Sequence, residues 1–344
     1  MTKHRLFWPV AALLALLLAD LIARPSFFAV ELRDGHLYGN VIDILKNGAP
    51  LILIAIGMTL VVATRGIDLS VGAVVAISGA LACLHISGLG DPGGVGGVLA
   101  AVGLALGLSL ALGAWNGWLV AVLGIQPIIA TLILMVAGRG IAQLITGGQI
   151  ITINSGPYEW IGSGFVLTLP SAILIALAVF AIASVLVRRS ALGLLLESVG
   201  GNPEASRLAG LRSARLIWLT YVFCGLCAGI AGLMISANVH SADGNNAGQF
   251  IELDAILAVV IGGTQLTGGR FSLGGSVIGA VLIQTLTTTV YALGIAPQAI
   301  MLVKAVVVLA VCLLQSPRFR RKPGRRVVRP IAPAETPEKV EAAV

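Results

Sequence analysis

Apolar runs alternate with short polar interruptions along nearly the whole chain, from residue 6 to residue 315. A helix of about 20 apolar residues crosses the hydrocarbon core of a bilayer, and most of the runs approach that length. Counted along the sequence, the runs give ten spans, some of them interrupted by Gly, Pro or polar residues. The pattern therefore predicts an all-α, polytopic membrane protein with about ten transmembrane helices, some of them discontinuous.

Charge predicts how the two ends of the chain are placed. Residues 1–316 are expected to form one transmembrane domain, and residues 317–344 a basic, disordered cytoplasmic tail that becomes rich in Pro, Ala and Glu. Positive segments stay on the cytoplasmic side, and ten spans are an even number. Both termini and the Arg-rich segment 188–215 are therefore predicted to be cytoplasmic.

Composition excludes several classes of protein. Hydrophobic residues make up 57% and charged residues 11%, whereas about a quarter of the residues in a soluble domain are charged. Much of the net charge of +7 lies in clusters that orient the chain in a membrane, so no nucleic-acid partner is expected. The four Cys and four His are scattered, and no metal site is predicted.

Segment 188–215 is the longest interior stretch that is too polar for hydrocarbon, and it contains start and stop signals for a short helix. Asn202 can cap the first turn with its side-chain oxygen, and Pro203 suits the first helical position. Gly210 suits the left-handed residue that follows the last turn.

The helix predicted within that segment covers residues 203–209, about two turns. Ala205, Leu208 and Ala209 share one face by their spacing. A helix this short is marginal in water and must dock against something to persist. Two interpretations remain open: an ordinary cytoplasmic loop whose Arg residues fix the topology, and a docking element for a soluble partner.

Two polar breaks interrupt the apolar pattern at corresponding places. Residues 65–72 contain a potential Arg65–Asp68 pair, and residues 262–270 are rich in Gly. Regions 48–80 and 250–283 share one plan, an apolar run, a Gly-rich break with an Arg, and a Gly-rich helix. Transporters show internal repeats of this kind, with discontinuous helices in corresponding positions.

Enzyme chemistry is not predicted for this chain. No Ser, His and Asp are brought together by spacing, and no catalytic residue is assigned. Gly263 to Arg270 resembles a phosphate-binding loop but lacks its Lys and its Ser or Thr, so no nucleotide or other cofactor is expected. Glu252 and Asp254 are interpreted as acidic residues at a helix start.

Amide side chains suit the passage of a neutral, hydroxylated solute, because they donate and accept hydrogen bonds without a buried charge. The candidate pathway residues are Asn116, Gln126, Gln143, Gln265 and Gln284. The main alternative is an ion-coupled secondary transporter for a neutral polar solute, which needs titratable groups in its pathway. Its candidates are Asp20, Asp68, Glu252, Asp254 and Lys304.

Several stretches, in this order and spacing, resemble the ribose-type branch of ABC sugar permeases over residues 40–315. They are Gly66-Ile-Asp68-Leu-Ser70-Val-Gly72, Trp115-Asn116-Gly117, Ala130-Thr131-Leu132, Gly200-Gly-Asn202-Pro-Glu204-Ala, and Glu252-Leu-Asp254-Ala-Ile256 through Gly262-Gly263-Thr264. Glu204-Ala205-Ser206 followed by Gly210 has the spacing of the family's Glu-Ala-Ala-x-x-x-Gly coupling motif, with Ser in place of the second Ala. Within the branch, the stretches 131–140 and 242–248 look most like the permease of a galactofuranose importer.

The resemblance implies the permease subunit of an ATP-driven importer for a monosaccharide such as galactofuranose, ribose or galactose, in the bacterial inner membrane. It implies as partners an ABC ATPase, a periplasmic sugar-binding protein, a second permease that is identical or a sister chain, and membrane lipid. The residues that it implies for ATPase coupling are Gly200, Asn202, Pro203, Glu204, Ala205, Arg207 and Gly210. Contact with the binding protein is implied for Asp243, Asn245 and Asn246.

Overall fold

A computed structural model of the protein describes residues 7–23, 25–33, 35–294, 296 and 299–315. The basic start of the chain and the predicted tail 317–344 lie outside these residues. The described helices are α1 (Phe7–Ala23), α2 (Asn40–Ala63), α3 (Val71–Ser87), α4 (Val95–Ala121), α5 (Pro127–Thr146), α6 (Gly156–Ser163), α7 (Ser171–Arg189), α8 (Leu192–Gly201), α9 (Pro203–Leu208), α10 (Ser213–Val239), α11 (Ile251–Ile261), α12 (Leu273–Ala292) and α13 (Ile300–Gln315). The strands are β1 (Glu31–Arg33), β2 (His36–Tyr38), β3 (Ile150–Thr152), β4 (Phe165–Val166), β5 (Leu169–Pro170) and β6 (Ser241–Asp243).

The predicted class of fold, an all-α polytopic membrane protein, is confirmed. Six helices of the described part are long and apolar enough to cross a membrane: α2, α4, α5, α7, α10 and α12. The apolar helices α1, α3 and α8 are shorter. The strands form only small antiparallel pairs, β1 with β2, β3 with β6 and β4 with β5.

Helix α2 forms the centre of the bundle. Every residue from Gly48 to Ala63 is buried, so this helix is covered on all sides, which explains why it is apolar all round. It packs against α7, α10, α11 and α12. The apolar run that opens region 48–80 starts at Gly48, but the helix begins at Asn40, because the mixed polar and apolar residues before Gly48 form its first two turns.

Helix α10 lies beside α2 and connects the two ends of the molecule. It packs against α2, α3 and α4, and the contact with α4 is close enough that a Cβ added at Gly113 would lie 2.6 Å from the Tyr221 carbonyl oxygen. Small residues allow such backbone approach between membrane helices. With 27 residues, α10 is about 40 Å long and separates α9 from β6. We call these two sides the α9 end and the strand end.

The coupling loop, residues 188–215, is mostly helical rather than irregular. Helix α7 continues to Arg189, and α10 begins at Ser213. Between them the structure adds α8, which the sequence analysis missed and which packs Leu196 and Val199 inward. The short predicted helix is present as α9, one residue shorter than expected.

The two regions of similar plan lie against each other. In the first, residues 64–70 separate α2 from α3, and in the second, residues 262–272 separate α11 from α12. Helix α11 has 11 residues and is therefore about 16 Å long, well short of a bilayer core of about 30 Å. At the strand end, β3 pairs with β6, so the connections before α6 and before α11 are joined there.

Candidate functional site

Arg65 lies two residues after the end of α2 in a left-handed conformation and does not form the pair with Asp68 that its sequence position allowed. Its φ is +66°, and its Nε donates to the Gly200 carbonyl oxygen at 2.5 Å. The same guanidinium donates to the carbonyl oxygen of Gly201. The potential Arg65–Asp68 pair is thus replaced by a link from the first break to the last residues of α8.

Asp68 instead lies in a buried polar cluster inside the bundle. Its carboxylate accepts hydrogen bonds from the Ser70 backbone N–H at 2.9 Å and from the Ser70 hydroxyl at 2.6 Å. The amide of Asn116 on α4 donates to the Ser70 hydroxyl oxygen at 2.8 Å. The Thr131 hydroxyl oxygen on α5 accepts from the backbone N–H of Leu69 at 3.1 Å. Three of the stretches that carry the family resemblance therefore meet at the first break.

The second break contacts the end of α2. The backbone N–H of Gly269 donates to the carbonyl oxygen of Ala63, the last residue of α2, at 2.9 Å. Thr264 and Ser272 stabilise this break, because the Thr264 hydroxyl oxygen accepts from the Ser272 N–H and the Ser272 side chain caps α12. The end of α2, the end of α8 and the second break thus form one junction, which we call the three-way junction.

Helix α9 projects from this junction and has the predicted cap. The Asn202 side-chain oxygen accepts from the backbone N–H groups of Glu204 at 3.1 Å and Ala205 at 3.0 Å, and Gly210 has a φ of +88°. Ser206 is buried on the side of α9 that faces the bundle, whereas the three residues of the predicted docking face, Ala205, Leu208 and Ala209, are exposed. Leu208, the last residue of α9, is a large apolar side chain that is 80% exposed.

The exposed face of α9 adjoins the other predicted coupling residues. Pro203 begins the helix, and Arg207 lies in its last turn, where a positive charge is favourable to the helix dipole. Gly200 lies one turn upstream at the three-way junction. The structure therefore brings together all seven residues to which the resemblance assigns ATPase coupling, and that role remains a prediction.

At the strand end, Asp243, Asn245 and Asn246 form one turn. The Asp243 carboxylate accepts from the backbone N–H of Asn245 at 2.8 Å, and from the backbone and side-chain N–H groups of Asn246. Partial burial by itself raises the pKa of Asp243, but these hydrogen bonds and nearby Arg139 outweigh it and hold the pKa below its usual value. Arg139 also donates to the Ala247 carbonyl oxygen at 2.6 Å and so fixes the turn against α5.

Helices α3 and α11 begin next to each other, between the α9 end and the strand end of the molecule. A Cβ added at Gly72 would overlap the Glu252 carboxylate and lie 2.6 Å from the Gly248 carbonyl oxygen. Glu252 is 6% exposed, and its Oε2 has no hydrogen-bond partner among the described residues. An acidic group at a helix start is favoured by the helix dipole, which agrees with the interpretation from the sequence.

The five amides of the candidate solute pathway do not come together. Asn116 belongs to the Asp68 cluster, Gln126 precedes α5, and Gln265 is exposed in the second break. Gln143 is exposed on α5, and Gln284 packs against Gly48 between α12 and α2. The lining of a pathway by these residues remains a prediction.

The titratable groups considered for ion coupling are also dispersed. Asp20 on α1 accepts from the Thr289 hydroxyl on α12 at 2.8 Å, and Lys304 on α13 pairs with Asp254 at 2.7 Å. The Lys304–Asp254 pair was missed, although a lysine inside an apolar span was a signal that a partner is needed. Within the described ranges, no three His, Cys, Asp or Glu side chains are grouped to hold a metal ion.

The fold and the site define a class, a multi-pass membrane permease whose helices break inside the bundle. Residues 40–312 match the family of branched-chain amino acid transport system permease components. The chain belongs to this family, as its motifs predicted, and is a transport subunit rather than an enzyme.

Three relatives cover nearly the whole chain. The galactofuranose transporter permease protein YtfT of Escherichia coli K12 is 51% identical over 92% of this chain and 93% of its own length. The fructose import permease protein FruF of Bifidobacterium longum is 41% identical over 92% and 89%. The ribose import permease protein RbsC of Escherichia coli K12 is 37% identical over 89% and 92%. No solved structure matches the chain.

Proposed function

We propose that the chain is the permease subunit of an ATP-driven ABC importer for a monosaccharide, with galactofuranose as the first sugar to test. The relatives named for galactofuranose, fructose and ribose support the class of solute. The identity of 51% to the galactofuranose permease supports that sugar over the other two. The chain contributes no chemistry of its own, and a separate ATPase subunit hydrolyses ATP.

Helix α9 is the observation that carries the coupling assignment. It is a capped, two-turn helix with an exposed apolar face, and it is fixed at its base to both helix breaks. An isolated helix of this length is marginal in water. The Asn202 cap and the contacts at the three-way junction therefore stabilise α9 in a helical conformation that a partner can bind. We assign that partner as the ABC ATPase, which displaces α9 when it binds ATP.

Ten helices of the described part are proposed to cross or enter the bilayer: α1, α2, α3, α4, α5, α7, α10, α11, α12 and α13. Helix α11 is too short to cross alone, and it is proposed to enter the bilayer as one of the discontinuous helices. Because Arg188, Arg189, Arg207, Arg212 and Arg215 lie at the α9 end, this end is assigned to the cytoplasm of a bacterial inner membrane, together with both termini.

The remaining partners follow from this orientation. The strand end then faces the periplasm, where the turn at Asp243, Asn245 and Asn246 is available to a sugar-binding protein. Helix α5 exposes a row of large apolar side chains, including Ile129, Ile133 and Val136. That face is assigned to a second permease, identical or a sister chain, with lipid covering the outer helices. ATP and the loaded binding protein favour different states of the assembly, which is how binding shifts a two-state equilibrium.

Ala205→Arg tests the coupling assignment. A bulky charge on the exposed face of α9 is expected to abolish sugar uptake and copurification of the ATPase, while the amount of inserted permease stays at the wild-type level. Ala191→Arg is the matched control, because Ala191 is exposed in the same loop but lies outside α9. Normal uptake by Ala205→Arg at wild-type abundance would refute the docking assignment.

The ion-coupled alternative is tested separately. Proteoliposomes that contain the permease alone, with an imposed pH or sodium gradient, are expected to take up no sugar. Addition of the ATPase, ATP and binding protein should start uptake, and collapse of the proton gradient should not reduce it. Gradient-driven uptake by the chain alone would establish the secondary transporter instead.

A further inference from the structure

We propose that Arg65 is the positioning residue that transmits movement of α9 to both helix breaks. This inference rests on the proposed function, because it presumes that a partner displaces α9. It adds a specific residue to that function, located in a different segment of the chain from the coupling loop. Neither the family match nor the names of the relatives assign a role to this position.

Backbone hydrogen bonds fix the conformation of Arg65 independently of its side chain. Its N–H donates to Val62 at 3.0 Å, and the N–H of Gly66 donates to Val61 at 2.9 Å, so the chain closes the end of α2. The positive φ of Arg65 is unfavourable for a residue with a Cβ, and a glycine would adopt it without strain. The contacts of the side chain must therefore offset that cost.

The guanidinium contacts the last two residues of α8. Carbonyl oxygens at the end of a helix have no partner within that helix and carry the negative end of the dipole. Arg65 donates to two of them, Gly200 and Gly201, through different nitrogen atoms. The planar fork of an arginine suits two adjacent acceptors, whereas a lysine offers a single ammonium group. Asn202, the cap of α9, follows directly.

The end of α8 also packs closely against the hydrogen bond that joins the end of α2 to the second break. A Cβ added at Gly200 would overlap the carbonyl oxygen of Ala63 and lie 2.5 Å from the nitrogen of Gly269, the two residues joined by that hydrogen bond. A Cβ at Gly268 would overlap the Arg65 side chain. Because Gly200 and Gly268 leave no room for a single added carbon atom, we expect a displacement of α9 to carry the ends of both α2 and α8 and the second break with it.

The test is Arg65→Lys in the complete importer, with permease, ATPase and binding protein reconstituted in proteoliposomes. Lysine keeps the charge but loses the two-point contact, so the sugar imported per ATP hydrolysed is expected to fall by about tenfold, as for loss of one charge-assisted hydrogen bond. Arg65→Gln should give a loss at least as large. The melting temperature of each purified permease and the copurification of ATPase are measured on the same preparations.

Arg270→Lys is the matched control, since Arg270 is an exposed residue of the second break without a hydrogen bond or ion pair to the described residues. It should keep the wild-type ratio of sugar to ATP. A merely structural role of Arg65 would lower the melting temperature, assembly, ATP hydrolysis and uptake together and leave the ratio unchanged. That result, or an unchanged ratio in a stable complex, overturns the inference. If the wild-type chain itself fails to import sugar with ATP, the proposed function fails instead.

Discussion

Lys304 on α13 donates a hydrogen bond of 2.7 Å to the Asp254 carboxylate near the start of α11. The two side chains are 19% and 24% exposed, so the pair is partly desolvated within the bundle. It connects the last described helix to the short helix that follows the strand-end turn. The position of α11 therefore depends on a charge pair as well as on apolar packing.

Removal of one partner of this pair should destabilise the permease. Lys304→Met leaves Asp254 as a partly buried, uncompensated charge, and we expect a loss on the order of 2 kcal/mol, between the values for exposed and buried pairs. The measurement is the melting temperature of the purified protein. Asp254→Leu combined with Lys304→Met removes both charges and should recover most of the loss. Equal destabilisation by the single and the double variant would show that the uncompensated charge of Asp254 is not the cause of the loss.

Asn202→Ala should weaken uptake without reducing insertion. The Asn202 side-chain oxygen satisfies two backbone N–H groups of α9, and loss of such a cap costs about 1 kcal/mol, which is large for a helix of two turns. The affinity of the permease for its ATPase and the rate of sugar uptake are the measurements. Asn202→Ser keeps a capping oxygen and should retain most of both. Loss in the Ser variant equal to that in the Ala variant would contradict the capping role.

Gly72→Ala should destabilise the contact between α3 and α11. The added Cβ would meet the Glu252 carboxylate and the backbone of Gly248, and the backbone atom cannot yield easily. Gly274→Ala is the matched control, because Gly274 is likewise the second residue of its helix, α12, and has open space around it. We expect a lower melting temperature and lower uptake for Gly72→Ala alone. Similar behaviour of the two variants would refute the contact.

The turn at Asp243 should loosen in acid. Its pKa lies below the unfolded value, so its contribution to stability is present above about pH 4 and is lost as the pH falls through the folded pKa. Amide hydrogen exchange of Asn245 and Asn246, corrected for intrinsic rates, should show protection that falls below about pH 4. Asp243→Asn should show reduced protection at every pH. Protection that is equally strong in the wild type and the Asn variant would exclude the carboxylate as the cause.

Local chemistry in the sequence predicted α9 well. The cap by Asn202, the first-turn Pro203 and the left-handed Gly210 are signals within one short stretch, and the structure has each of them. Helix α2 begins before the apolar run at Gly48, because its first two turns mix polar and apolar residues. Helix α8 was missed because its ten residues fall between charged positions and end in glycines that resemble a loop.

Contacts between residues far apart in the chain could not be predicted from the sequence. Arg65 was paired with nearby Asp68, but it contacts Gly200, 135 positions away. A lysine at position 304, inside an apolar span, indicated that an acidic partner is needed. The sequence alone did not show which of several carboxylates that partner is. The candidate amides were chosen by hydrogen-bonding capacity, which does not specify where each side chain lies. A pattern of residue types predicts where helices and strands form. Which of them contact each other is decided by tertiary packing.

The complete burial of α2 has a consequence for how the protein is made. This helix leaves the ribosome well before α10, α11 and α12, which cover it in the finished molecule. It must first reside in lipid and later exchange that contact for protein neighbours, as in two-stage assembly of membrane proteins. Thr59 carries the one buried hydroxyl in the middle of this helix, and the hydroxyl donates to the carbonyl oxygen of Ala55 in the same helix. Its hydrogen bond can therefore form before the neighbouring helices have packed. Helix α2 is thus compatible first with lipid and later with the interior of the protein.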